Sequence, residues 1–256
     1  LILLMTPLAT TEIGTDGWIS GIMGKVVTFD AGWILVYTSV IMMVLRFYAG
    51  PIVHRLQPLP LLILSSVLAI AGLLALSNAS GVGLIFAAAT LYALGKTFFW
   101  PTMLGIVSEQ TPRGGALTLN SVSGIGMLAV GVLGFPYIGA LQEKKAVSEL
   151  AALEEAQSVP GLVVDGNVAS EALQEKSIYY NSISYQSLEG EKVDALIANQ
   201  NQDVKDAVAA SQDGSGQKAL ANMAIFPLIM LITYVIMYLY FKGKGGYKPL
   251  ELSAEA

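Results

Sequence analysis

Five long apolar runs follow one another through the first 141 residues, a polar stretch over residues 142–218 interrupts them, and a sixth run closes the chain. Each run is close to the length that crosses a bilayer as a helix. The pattern predicts six transmembrane helices, over residues 1–24, 31–48, 59–78, 83–107, 116–141 and 219–242. The fold class expected is therefore an all-α membrane protein. The second, third and sixth runs are almost uninterrupted over Trp33–Phe47, Leu61–Leu76 and Met223–Phe241. The first and fourth are not. After Leu1–Leu8 the first carries Thr10-Thr11-Glu12-Ile13-Gly14-Thr15-Asp16-Gly17-Trp18, and the fourth carries Gly95-Lys96-Thr97-Phe98-Phe99-Trp100-Pro101. The fifth contains Gly124, Gly126, Gly131, Gly134 and Gly139, a small-residue composition that lets helices approach closely in lipid.

The connections orient the runs. Between the second and third lies Leu45–Pro58, where Gly50, Pro51 and Pro58 end helices and predict a tight basic turn. A second polar turn covers residues 108–115. Arg46, Arg55, Arg113 and the lysines of the tail, Lys242, Lys244 and Lys248, fall on one side, and Asn78 and the polar stretch on the other. Short basic loops stay in the cytoplasm, so the turns at 46–58 and 108–115 and the C-terminus are expected there. The domain reading is 1–141 for the first five helices, 142–218 for an extracytoplasmic insert, 219–242 for the last helix and 243–256 for a cytoplasmic tail. The insert is polar and rich in Gln, Ser and Asn. Its patches Val147–Ala156 and Val193–Ala210 predict partial helicity, and its scattered apolar residues predict no core of its own.

Composition fixes the class. Hydrophobic residues make up 54% of the chain and charged residues only 13%, against about 25% charged in an ordinary soluble protein. The net charge of −5 belongs to the insert, which holds thirteen of the nineteen acidic residues. No basic tract points to nucleic acid. The absence of cysteine excludes disulfides, thiolate metal sites and a cysteine nucleophile, and neither a metal nor a cofactor enters the reading. The start at Leu1, inside an apolar run, suggests a piece of a longer protein.

Glu12, Asp16 and Lys96 are the charges expected deep in the spans. Each costs about 2.5–3.5 kcal/mol near a helix centre, so they should face a hydrated cavity or one another. Glu12 and Asp16 share a helix face at i,i+4, and Gly14 and Gly17 are candidates for local unwinding there. On the fourth helix Tyr92, Lys96, Phe99 or Trp100, and Met103 recur at helical spacing. An amine flanked by aromatics suggests a place to hold and stack a polar ligand. The plainer alternatives are a snorkelling Lys96, an Asp16 at a helix end, and aromatics that serve packing or an interfacial belt. His54, the only histidine, reads as a loop residue.

Buried charge on the first and fourth helices, and none on the third and sixth, suggests a 3+3 arrangement with the charged helices lining a pathway. The chain resembles the C-terminal six-helix half of a major facilitator superfamily transporter, loosely of the sugar-permease kind. The stretch Arg46-Phe47-Tyr48-Ala49-Gly50-Pro51-Ile52-Val53-His54-Arg55 is similar to that family's G-x-x-x-D-R loop. Gly50 and Arg55 match, Arg46 matches the preceding arginine, and His54 stands where the family usually has Asp. The resemblance covers the six helices and not the insert. It implies half of a twelve-helix transporter, a missing N-terminal half as partner, and alternating access that is often proton-coupled. It also implies a bacterial inner-membrane location. Under it Glu12, Asp16, Tyr92, Lys96, Phe99 and Trp100 become substrate or proton residues, Arg46, Gly50 and Arg55 a gating loop, and the cargo a small polar solute such as a sugar. Two other readings stand beside it. One is a non-enzymatic scaffold or accessory subunit working through its insert. The other is an intramembrane hydrolase using Ser121-Val122-Ser123-Gly124, with His54 remote in sequence and Lys96 as the conceivable base.

Overall fold

A computed structural model describes residues 1–250, with the His54 side chain and residues 251–256, the end of the expected tail, outside the described residues. All six apolar runs are helical. The first, α1, spans residues 2–23 and consists of Ile2–Ala9, a π turn at Thr10–Gly14 and Thr15–Met23. Next come α2 (Gly32–Phe47), α3 (Ala49–Leu56), α4 (Pro58–Asn78) and α5 (Val82–Gln110). A 3-10 turn at Pro112–Gly114 leads into α6, residues 115–152, which has its own π turn at Val130–Gly134. Among the described residues four stretches are long and apolar enough to cross a membrane: Pro58–Asn78, Val82–Gln110, Pro112–Ala152 and Gln202–Gly243. Gly32–Phe47 is apolar but has only 16 residues. The first helix has the length, but Glu12 and Asp16 dilute its apolar character.

Local chemistry corrects two expectations. Gly14 and Gly17 do not unwind α1; the chain stays helical and absorbs one extra residue as a π turn around Glu12. The basic stretch Leu45–Pro58 is not an open turn. It breaks at Tyr48, resumes as α3 through Gly50, Pro51 and Arg55, and turns sharply only at Gln57, with φ 61° and ψ 156°. Pro51 sits in the first turn of α3, where a helix has no use for the missing N–H, and Pro58 opens α4 in the same manner.

Helix α4 packs most closely on α5. A side-chain carbon at Gly95 would lie 2.4 Å from the Ala69 nitrogen, and one at Gly72 would lie 2.5 Å from the Tyr92 backbone. The two backbones therefore touch, as small residues permit in a membrane bundle. Of the glycines on α6, Gly126 meets Met5 and Trp100, Gly134 meets Thr10, and Gly139 lies near Trp18, whereas Gly124 and Gly131 open onto empty space. Leu62, Leu73, Leu76, Ile85, Tyr92, Phe99 and Met103 form the centre of a continuous core.

The bundle has two distinct ends. At one, the tail folds back on α5: the Tyr247 hydroxyl donates to Glu109 Oε2 at 2.6 Å, and the Leu250 N–H donates to the Glu109 carbonyl at 2.9 Å. Burial and this bond to a carboxylate raise the Tyr247 pKa. At the other, Gln217 Nε2 donates to the Leu76 and Ala79 carbonyls at 2.9 and 2.7 Å, which fixes the insert beside the end of α4.

The insert differs from expectation. After a short helix α7 (Glu154–Gln157) it contains two β-hairpins, β1 (Val163–Val164) with β2 (Asn167–Val168) and β3 (Leu173–Ile178) with β4 (Ile183–Leu188), and a further helix α8 (Gly190–Ile197). The last helix, α9, runs over residues 202–243 with a slight break at Ala224. The protein is mostly helical but not all-α. Leu150, Ala156, Val159, Leu162, Val168, Val193, Ile197 and Val208 form a second core, so the insert does bury apolar surface of its own. Its apolar residues are scattered in sequence because the turns between short elements space them. Leu150 and Val208 come from α6 and α9, which continue beyond the apolar runs as a stalk. The stretches Pro112–Ala152 and Gln202–Gly243, 41 and 42 residues long with the turn before α6 included, run to about 60 Å at 1.5 Å per residue, twice the ~30 Å hydrocarbon thickness.

Candidate functional site: two ion pairs at the centre of the bundle

Glu12 lies at the π turn midway along α1, and Lys96 lies midway along α5. A π turn shifts the helix register, and such turns are frequent at functional sites. Glu12 does not pair with Lys96. Its Oε1 accepts from Arg46 Nη2 at 2.6 Å and its Oε2 from the Trp100 N–H at 3.2 Å. Arg46 also donates from Nε to the Thr97 carbonyl at 3.1 Å. Helix α5 loosens at Thr97–Phe98, which exposes both the carbonyl and the amide used here. Arg46 was expected in a cytoplasmic turn. It lies instead level with the middle of α1 and α5, because the helix break comes after it, at Tyr48.

The second pair is Lys96 with Asp16. The Lys96 side chain is fully buried, and the Tyr92 ring lies 5.1 Å from its ammonium. The Tyr92 hydroxyl in turn donates to the Thr11 carbonyl of the π turn. Two acids and two bases thus neutralise one another where an unpaired charge would be expensive.

The pairs differ in what they face. Glu12 is sealed, its side chain 8% exposed, but Arg46 is 40% and Asp16 22% exposed. These two border an open cleft of about 510 Å³ whose other walls are Ser39, Met42, Met43 and Phe47. Of the residues expected at a site, only Asp16 and Arg46 line it. Tyr92 and Phe99 belong to the core, Trp100 packs against it, and Lys96 reaches the cleft only through Asp16. Gly50 and Arg55 are exposed on α3, away from the cluster. Sequence reasoning missed Ser39, Met42 and Met43. They stand with Arg46 at i, i+3, i+4 and i+7, one face of α2, but apolar neighbours made that face look like ordinary lipid-facing surface. Among the described residues no cluster of three His, Cys, Asp or Glu side chains is placed to hold a metal.

No family model matches the chain, and neither a curated protein nor a solved structure matches it. Function must therefore be argued from the cluster itself.

Proposed function

We propose that the chain is the C-terminal half of a secondary transporter that moves a small polar solute by alternating access. The observation that supports this most is the position of the paired charges: two ion pairs midway along the helices, one member of each open to a cleft. A guanidinium and a carboxylate at that depth are unstable against acyl chains. They need water or a second polypeptide opposite them, as a transport pathway between two six-helix halves would supply. The reading takes all six helices as spans in a 3+3 arrangement, with the insert outside and the Gln57 end in the cytoplasm. The resemblance to the major facilitator superfamily points the same way.

The chemistry follows from the pairs. Asp16 holds Lys96 and borders the cleft, so a proton placed on its carboxyl group discharges the pair and frees the ammonium. A solute hydroxyl or carbonyl can compete for Arg46, which has donors beyond those used by Glu12 and Thr97. Solute and proton then act on neighbouring ion pairs of one cluster, so the binding of either changes the affinity for the other. The cleft volume lies in the 300–1,000 Å³ range of small-molecule sites. A hexose or a related metabolite is the cargo we infer.

The test uses the full-length protein that contains this chain, reconstituted in liposomes with an internal pH dye and offered labelled hexoses and disaccharides. The expected result is solute-dependent proton movement that Lys96→Ala abolishes, and that Asp16→Asn uncouples from the pH gradient more than it weakens solute binding. Wild-type transport by Lys96→Ala would remove the cluster from the mechanism. Sidedness is checked by cysteines at Gln57 and at Tyr180, which is fully exposed on the β3–β4 turn; they should label from opposite sides of the membrane. Ser187 is too buried to serve.

A second reading, an accessory membrane subunit that works through the insert, draws support from the insert's own core. It assigns no task to the central ion pairs.

A further inference from the structure

Four elements meet where the stalk joins the bundle: the end of α1, the outer part of α6, strand β4 and the start of α9. They border a second cavity of about 260 Å³, walled by Gly21, Ile22 and Lys25, by Gln142, Glu143 and Ala146, by Ser187 and Leu188, and by Gln212, Asp213, Ser215 and Gly216 of α9. Two polar atoms in its wall are buried without any hydrogen-bond partner, Gln142 Nε2 and Ser187 Oγ. Ser187 is only 1% exposed. A buried donor left unpaired is costly, so a molecule that offers these atoms partners is favoured there.

The charges around the cavity are already matched. Lys25 pairs with Asp213 at 3.3 Å, and Glu143 accepts from Lys176 at 2.8 Å and from the Tyr185 hydroxyl at 2.7 Å. An ionic ligand would compete with these pairs for their partners. A neutral ligand breaks none. Gln142 Nε2 offers a donor and Ser187 Oγ both a donor and an acceptor, a combination that hydroxyl groups satisfy and aliphatic groups do not. Ile22, Ala146 and Leu188 supply an apolar wall for a carbon frame. The volume equals roughly nine waters at about 30 Å³ each, enough for one sugar-sized molecule.

We infer that this joint is a binding site for a small neutral polyhydroxylated molecule of the monosaccharide or cyclitol class. It exists because the insert is folded, since β4 supplies Ser187, and it stands independently of the transport reading. The central cleft and this cavity have no lining residue in common.

Binding of labelled D-glucose and myo-inositol to the purified full-length protein in nanodiscs, measured by equilibrium dialysis, tests the site. D-Gluconate and D-glucosamine serve as charged comparators. The expected result is saturable binding of at least one neutral probe in preference to both charged ones. Ser187→Val removes the unpaired hydroxyl and should weaken binding about fivefold to tenfold while leaving thermal stability equal or higher. Gly216→Ala is a milder second variant. Its added carbon would lie 3.4 Å from Gln142 Oε1 and 3.6 Å from Ile22, so it narrows the cavity without forcing the helices apart and should also weaken binding. Ser39→Leu, in the central cleft, should leave unchanged the binding component that Ser187→Val removes, so hexose held at the cleft is told apart from ligand held at the joint. The proposal is overturned if no neutral probe binds and the cavity holds ordered water only, if gluconate or glucosamine binds as well, or if binding responds to Ser39→Leu and not to Ser187→Val or Gly216→Ala.

Discussion

Glu12 and Glu149 are the same side chain in two settings. Each sits on a long helix and each is held by basic groups, Glu12 by Arg46 and Glu149 by Lys145 at 2.9 Å and by Lys218. Glu12 is inside the bundle and also takes a backbone N–H, so its partners stand in for the whole of its hydration. Glu149 is on the stalk, its side chain 17% exposed, between a partly exposed Lys145 and a half-exposed Lys218 that reach water in its place. Removing a partner from a buried pair leaves an uncompensated charge and costs about 3–5 kcal/mol, while an exposed pair contributes about 0–1 kcal/mol. Surroundings decide what an ion pair is worth, and the bundle and the stalk should respond to mutation accordingly.

The bundle's tightest point gives the largest expected effect. Gly95→Leu would place a side chain where the Ala69 backbone lies 2.4–2.8 Å away. No rotamer relieves that, so α4 and α5 must separate, at a cost of about 3 kcal/mol or more. The purified variant should lose most of its folded yield, while Gly105→Leu, which meets open space, should melt like wild type. Equal melting of the two would mean that the helix crossing is not as close as described.

Arg46→Met comes next. It strands Glu12 and should destabilise the bundle by about 3 kcal/mol, measured by thermal unfolding in detergent. Adding Glu12→Gln should restore part of the loss, because the neutral amide no longer needs a counter-charge. If the double variant is no more stable than the single one, Arg46 matters through packing and not through charge. On the stalk, Lys218→Ala should change stability by about 1 kcal/mol at most, since Lys145 still serves Glu149. A loss as large as that of Arg46→Met would erase the contrast between the two regions.

The same contrast separates what was legible in the sequence from what was not. Long apolar runs predict the bundle's helices well, because lipid leaves the backbone no alternative partner. Helix bounds at 59–78 and 31–48 fall within two residues of Pro58–Asn78 and Gly32–Phe47. Glu12, Asp16 and Lys96 stand out because charge is rare there. Arg46 did not, since the Gly-Pro pair after it suggested a turn that the chain does not make. The insert was harder. Its core residues follow no helical or alternating period, and its strands are short. One signal was present and unused: Asp165-Gly166 between Val164 and Asn167, where both φ values are positive, 51° and 76°. That dipeptide is the strongest short-range mark of a two-residue hairpin.

The smallest effect expected is a pH response confined to the insert. Tyr185 lies on β4 and donates to Glu143 Oε2 at 2.7 Å. Partial burial, with the hydrogen bond to and the charge of Glu143, pushes its pKa from 10.0 up to about 12. The protonated phenol is thus favoured in the folded insert. Below pH 10 both folded and unfolded chains hold the proton, and the contribution of this bond to stability is complete. Between pH 10 and 12 the unfolded chain loses its proton first, so it binds fewer protons than the folded one and stability falls as pH rises. Tyr185→Phe removes the titrating group and should flatten that part of the profile, at the cost of the hydrogen bond below pH 10. Thermal melts of the wild type and the variant, followed by circular dichroism from pH 8 to 12, give the comparison. Parallel decline of the two between pH 10 and 12 would show that Glu143 holds Lys176 alone and that the hairpin is not tied to the stalk through Tyr185.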